Sequence, residues 1–253
     1  YTNTHPRISP DGKQILYARQ ETTGSASEIW VMNVDGSDKT ALITGAAAGY
    51  GYGYPTWNPA EHDTTVATIA FTLTTATEVF IMTMQYNPHL GGASNLSVLK
   101  HNVGVPEDTF IAPSFSPDGT KLLWSEKDSG SNWNLHLADY VDSSSAVINE
   151  TTIASASGAE LLGNWSPNGA QIIFTSDDGH GGAGPAGKHA IYVMDSDDPS
   201  TINLIADYPE LAPGGVGSGL DWAPVFHPSG EQILWNSSAG DSGLVGLLET
   251  DMF

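Results

Sequence analysis

The chain has 253 residues, 40% of them hydrophobic and 9% aromatic, which is enough apolar material for a sizeable core and argues against disorder. Its 8 Lys and Arg stand against 29 Asp and Glu, a formal net charge of −21, so a phosphate backbone is repelled and nucleic-acid binding is excluded as an expectation. No cysteine is present, which removes disulfides and thiolate metal sites, and no apolar run approaches the ~18 residues of a membrane-spanning helix.

In chain order, the first stretch "HPRISPDGKQILYAR" (5–19) reads as a strand, a Pro-Asp-Gly turn and a second strand. A third strand, "SEIWVMNVDGS" (27–37), and a fourth, "KTALIT" (39–44), follow it. The opening pattern returns as "YPTWNPAEHDTTVATIAFT" (54–72), "APSFSPDGTKLLWSE" (112–126), "GNWSPNGAQIIFTS" (163–176) and "APVFHPSGEQILWNS" (223–237). Its turn prolines, Pro10, Pro59, Pro117, Pro167 and Pro228, are 49, 58, 50 and 61 residues apart. The third-strand element recurs at 77–85, 132–140, 189–198 and 243–251. Proline presets φ for the turn, and Asp or Asn with Gly accepts the left-handed conformation beside it. Four-stranded units of this length, repeated with no long helical period between them, predict an all-β fold, a β-propeller with five recognisable blades.

These motifs carry a resemblance. "ISPDGKQILYAR" followed by "IWVMNVDGS" resembles the TolB-type propeller repeat, strongly in the first unit, well in the third and fourth, and in degenerate form in the second and fifth. The resemblance covers essentially the whole chain and implies a single propeller domain over 1–253. The blades then fall at about 1–49, 50–107, 108–157, 158–218 and 219–253. TolB-type propellers usually have six blades and related enzymes seven. The fifth unit here stops at "ETDMF", so its last blade is expected to be incomplete, and the opening Tyr1 suits a processed chain or a piece of a longer one. An open edge of that kind is a place for an oligomer or a larger assembly to form.

Propeller topology sorts the loops into two faces. The Pro-Asp-Gly turns and "NVDGSD" (33–38) share one, with Asp11 and Asp35 as turn formers. The opposite face is expected to hold the long segments "GAAAGYGYGY" (45–54), "KHNVGVPEDTF" (100–110), "ASGAELLG" (156–163), "SDDGHGGAGPAGKHA" (176–190) and "APGGVGSGLDW" (212–222). Segments of that length carry function more often than short turns do.

Four constellations on that face are candidates. His180 and His189, near Asp177 and Asp178, offer a metal pair, against the alternative of a solvated Gly-rich loop. Asn3, Glu160 and Asp221 fall three residues before the inner-strand proline slot (Pro6, Gly163 and Pro224). They offer oxygen ligands suited to calcium, against a solvated acidic rim. His5 and Arg7 alternate by two on the first inner strand, where the other units have Tyr54/Thr56, Ala112/Ser114, Leu162/Asn164 and Ala223/Val225. Arginine recognises carboxylates with two parallel bonds, so this pair is a candidate ligand contact, against a structural ion pair of Arg7. Tyr50, Tyr52, Tyr54 and Trp222 are candidate aromatic platforms for a sugar ring or a protein, against packing over the blades.

"THPRISPDG" also looks like the His-containing blade of oligogalacturonate lyases, relatives that use a metal held by several histidines, although the other histidines have no counterpart here. No Gly-x-Ser-x-Gly elbow, phosphate loop or dinucleotide fingerprint is present. The leading expectation is a non-catalytic, exported module, extracellular or periplasmic, that binds protein or polysaccharide through its long-loop face without entering a membrane. The alternatives are a metal-dependent lyase acting on uronate-containing glycans and a structural subunit of an extracellular assembly.

Overall fold

The computed structural model describes residues 1–22, 25–44, 51–61, 66–88, 91–103, 110–130, 132–155, 158–177, 189–206, 221–237 and 246–251; of these, the side chains of 103, 221–222, 236–237 and 246–251 are outside the description. Among the described residues, nineteen strands and two short 3-10 turns make up the secondary structure, with no α-helix. No helix there is long and apolar enough to cross a membrane.

The first sheet unit contains β1 (Thr2–Ile8), β2 (Gln14–Gln20), β3 (Ser27–Asn33) and β4 (Thr40–Ile43). The second contains β5 (Gly51–Trp57), β6 (Ala67–Thr74), β7 (Glu78–Asn87) and β8 (Gly92–Val103). Each is a run of neighbouring antiparallel strands, and a parallel bridge from Ser27 to Gly51 joins the two into one eight-stranded sheet. The third is β9 (Phe110–Phe115), β10 (Lys121–Lys127), β11 (Trp133–Val141) and β12 (Ala146–Ala154), and the fourth is β13 (Glu160–Trp165), β14 (Gln171–Ser176), β15 (Ala190–Asp195) and β16 (Asn203–Ala206). The fifth, β17 (Asp221–Phe226), β18 (Gln232–Ser237) and β19 (Gly246–Asp251), has three strands among the described residues. These are propeller-type blades, and the repeat predicted them. By contacts the chain divides into two compact units, Tyr1–Trp124 with Leu137–Glu150, and Ser125–His136 with Thr151–Phe253.

The Pro-Asp-Gly turn repeats as a hydrogen-bond pattern, not only as a sequence. In the first blade the Ser9 N–H donates to the Gln14 carbonyl and the Gly12 N–H to the Ser9 carbonyl, each at 2.8 Å. The same two bonds recur at Ser116/Lys121 and Gly119, at Ser166/Gln171 and Gly169, and at His227/Gln232 and Gly230. Ser9 Oγ donates to Asp11 Oδ1 (2.6 Å) and accepts the Gln14 N–H (2.9 Å), so Asp11 is a turn former as expected. In the fifth turn His227 Nδ1 stands where Ser9 Oγ does and bonds Ser229 Oγ at 2.9 Å, so the odd histidine is a local variant of the same device.

Blades pack face to face. Leu16, Ile29 and Val31 of the first blade cluster with Trp57, Ile69 and Phe71 of the second. Ala70, Val79 and Ile81 of the second cluster with Phe115, Leu122 and Trp124 of the third, and Ile173, Ile191 and Val193 of the fourth with Ile233 and Trp235 of the fifth. Alternating residues of the middle strands thus serve opposite neighbours, as a strand's period of two requires.

Candidate functional site

Four of the five inner strands are interrupted at the same position of the repeat. In the first blade Thr4 faces Ala18 but Arg7 faces Leu16, so β1 carries one residue more than its partner between them. The same one-residue shift falls between Gly53 and Thr56, between Leu161 and Asn164, and between Trp222 and Val225. The extra residue goes with a left-handed backbone at His5 (φ 52°), Tyr54 (49°), Ala112 (52°), Leu162 (58°) and Ala223 (55°). Four of these precede proline, which itself disfavours most backbone shapes there. Strained φ at a single position hints at function, but strain in all five blades at one position is an architectural bulge.

The bulge sets the geometry around His5. Its ring lies against that of Tyr54, with centroids 3.9 Å apart and planes tilted by 35°. His5 and Arg7 are both half-buried, flanked by the exposed Thr4, Pro6 and Ile8. His5 Nδ1 is buried with no hydrogen-bond partner. Burial, and secondarily the Arg7 charge, pull the His5 pKa down to about 4, so the ring is neutral at pH 7. The Arg7 guanidinium donates through Nη1 to the Pro6 carbonyl (3.2 Å), while the Arg7 carbonyl accepts the Trp57 indole N–H (3.1 Å). Burial also pulls the Arg7 pKa below its ordinary value. Among the described residues no carboxylate lies within salt-bridge distance of Arg7.

The other candidates fare unevenly. Tyr52 and Tyr54 belong to β5 rather than to a loop, because the strand begins at Gly51. Tyr52 packs edge-on against Phe71 (5.9 Å) at the border of the blade core, and burial raises its pKa. Glu160 is fully buried and its Oε1 accepts the Ser176 hydroxyl at 3.1 Å, which places it inside the fourth blade instead of on a solvated rim. Asn3 is exposed in the other compact unit. Asp221 and Trp222 take part in β17, with side chains outside the description, and Tyr50 and His180 lie outside the described residues. His189 is half-buried, with Nδ1 buried and unpartnered. The assembled cluster is therefore His5, Arg7 and Tyr54. The bulge that brings it together has no sequence signal at His5 or Tyr54, because neither is glycine.

The sequence matches no family model. Among solved structures it is similar to TolB of Acinetobacter baumannii (18% identity, TM-score 0.67), covering 99% of this chain and 52% of that one. It is also similar to a protein of Agrobacterium tumefaciens described as a TolB (19%, 0.63), covering 99% of this chain and 77% of that one. A third similarity is to an oligogalacturonate lyase solved in complex with manganese (13%, 0.52), covering 96% of this chain and 61% of that one. Identities this low speak for the fold alone. The chain has the β-propeller fold of the TolB proteins.

Proposed function

We propose that this chain is a non-catalytic, exported propeller module that binds a carboxylate-bearing protein or glycan at His5, Arg7 and Tyr54, within one propeller domain. The observation that carries the reading is Arg7. In a chain with 29 acidic residues, a half-buried guanidinium that meets no carboxylate among the described residues is a ready recognition element. The neutral His5 ring, with the Tyr54 ring beside it, supplies an apolar surface. The TolB fold supports the interaction role, since the resemblance implies a docking platform.

Isothermal calorimetry with oligogalacturonate fragments and with a Glu-rich peptide tests the proposal, using the wild type and Arg7→Met. Binding of either probe that Arg7→Met reduces at least tenfold supports it. Absence of binding to both, or equal binding by the variant, removes it. The lyase alternative rests on the neutral His5 as a metal ligand or base, and release of unsaturated sugar ends on adding manganese to the wild type but not to His5→Ala would favour it.

A further inference from the structure

Four asparagines of this chain open an Asn-x-Ser/Thr triplet: Asn95 (NLS), Asn149 (NET), Asn164 (NWS) and Asn236 (NSS). The triplet is the acceptor pattern for N-linked glycans, and by itself it is weak evidence. The blades sort the four into two kinds. Asn95 and Asn149 are exposed and lie on β8 and β12, each the end strand of its sheet. Asn164 is half-buried on the inner strand β13. Asn236 is on β18, which pairs with Trp222 on one side and Leu247 on the other.

The two edge asparagines also share a local geometry. Each has a left-handed backbone, with φ 51° at Asn95 and 54° at Asn149. At Asn95 this accompanies an extra residue in β8, since Thr83 faces Ser97 but Gln85 faces Ser94. Each Nδ2 donates to the side chain ten positions earlier, Asn95 to Gln85 Oε1 (2.6 Å) and Asn149 to Asp139 Oδ2 (2.8 Å). These four residues all belong to the first compact unit. Asparagine suits a left-handed position without any sugar. That preference does not account for a hydroxyl two residues on, and both left-handed asparagines among the described residues have one, Ser97 and Thr151.

Nδ2 carries two protons, and glycosylation replaces one of them. One N–H is enough for the single bond that Asn95 and Asn149 each make. Asn164 uses Nδ2 twice, donating to the Leu162 carbonyl (3.1 Å) and the Pro224 carbonyl (3.0 Å), so a sugar there breaks a bond. The surroundings of the edge pair point the same way. Leu96, Val98 and Ile148 are 49%, 51% and 49% exposed, half of the exposed large apolar side chains among the described residues. An edge strand with exposed apolar residues invites pairing with another chain, and a bulky hydrophilic group blocks it.

We infer that Asn95 and Asn149 are N-glycosylation sites, whose sugars cover the outer edges of the second and third blades. The inference rests on the exported reading above but not on the His5–Arg7 site. In the reaction, Nδ2 bonds to the anomeric carbon of a polyprenyl-pyrophosphate-linked glycan. The bond from that carbon to the pyrophosphate oxygen breaks, polyprenyl pyrophosphate leaves, and Nδ2 gives one proton to a base of the transferase.

Secretion of the full chain from a yeast host supplies both export and the glycan donor, so a failure there counts against the sites and not against the exported reading. The secreted protein, checked for folding by circular dichroism, is treated with peptide N-glycosidase in heavy-oxygen water. Each glycosylated Asn then becomes a labelled Asp, which peptide mass mapping locates. The expected result is label at Asn95 and Asn149 and none at Asn164 or Asn236. Ser97→Ala and Thr151→Ala keep the asparagines and should each abolish the label two residues earlier. The double variant, lacking both sugars, should self-associate at lower concentration than the wild type in sedimentation velocity. Absence of label from either edge asparagine, or label at Asn164 in the folded protein, overturns the sites. Equal sedimentation of the sugar-free variant and the wild type overturns the covering role.

Discussion

The imidazole of His5 and the phenol ring of Tyr54 lie 3.9 Å apart, each held in a left-handed backbone conformation at the same height of neighbouring inner strands. The contact between them therefore comes from two copies of one bulge. It makes His5 a sensitive reporter of the candidate site.

The His5 ring should titrate near pH 4 in a two-dimensional NMR experiment, against 6.5 for an unperturbed histidine. Because the folded value is the lower one, the unfolded chain takes up the proton first. His5's contribution to stability is therefore complete above pH 6.5 and shrinks as pH falls toward 4. Arg7→Met should move the ring back upward only in part, since burial outweighs the Arg7 charge. A His5 that titrates at 6.5 would show that the ring is solvated.

Tyr52 and Tyr54 should separate stability from binding. Tyr52→Ala removes a ring from the core border against Phe71 and should lower unfolding free energy by roughly 2–4 kcal/mol in urea titrations. Tyr54→Ala should weaken binding of the carboxylate probe while costing less stability. Equal effects of both on melting and on binding would deny Tyr54 a recognition role.

Two turn glycines with nearly the same φ should respond differently to alanine. Gly12 (φ +73°) has open space where a Cβ would go, so Gly12→Ala meets only the left-handed backbone, a cost of about 1–2 kcal/mol. At Gly119 (φ +70°) the Cβ would come 2.3 Å from Asn58 Oδ1 and 2.7 Å from Ala60 Cβ. Gly119→Ala should therefore be the more damaging by a further 1–3 kcal/mol, read as a larger drop in urea midpoint at constant slope. Matching midpoints would mean that the 58–60 segment yields.

The turn carboxylates should make the protein acid-sensitive. The Ser9 hydroxyl holds Asp11 below the usual carboxylate range, and the Ser116 hydroxyl does the same for Asp118. A lowered folded value means the contribution is present above about pH 3.8 and is lost as pH falls through the folded value. Asp11→Asn keeps the acceptor, as Asn168 does in the fourth blade where it receives the Ser166 hydroxyl at 2.7 Å. That variant should melt with a shallower pH dependence below pH 4 than the wild type.

The blades were legible because their turns need particular residues. Proline, Asp or Asn, and Gly at fixed offsets can be read directly, and the aliphatic strands beside them alternate faces. The inner-strand bulge was not legible, since His5, Tyr54, Ala112, Leu162 and Ala223 share no side-chain chemistry that announces a positive φ. For the same reason, counting by twos along "HPRIS" treats a strand with an extra residue as a regular one. Tyr52 and Tyr54 looked like loop residues because Gly51 and Gly53, which alternate with them, mask a strand. Glu160 looked like a rim ligand because its burial depends on Ser176, sixteen residues away across a hairpin.

Positions 5, 54, 112, 162 and 223 share a left-handed φ of 49° to 58°. They are filled by His, Tyr, Ala, Leu and Ala, with Ala112 buried and the other four half-buried. A side chain placed at any of the five leaves the strand from a backbone of the same left-handed φ, so one scaffold device presents residues of different chemistry.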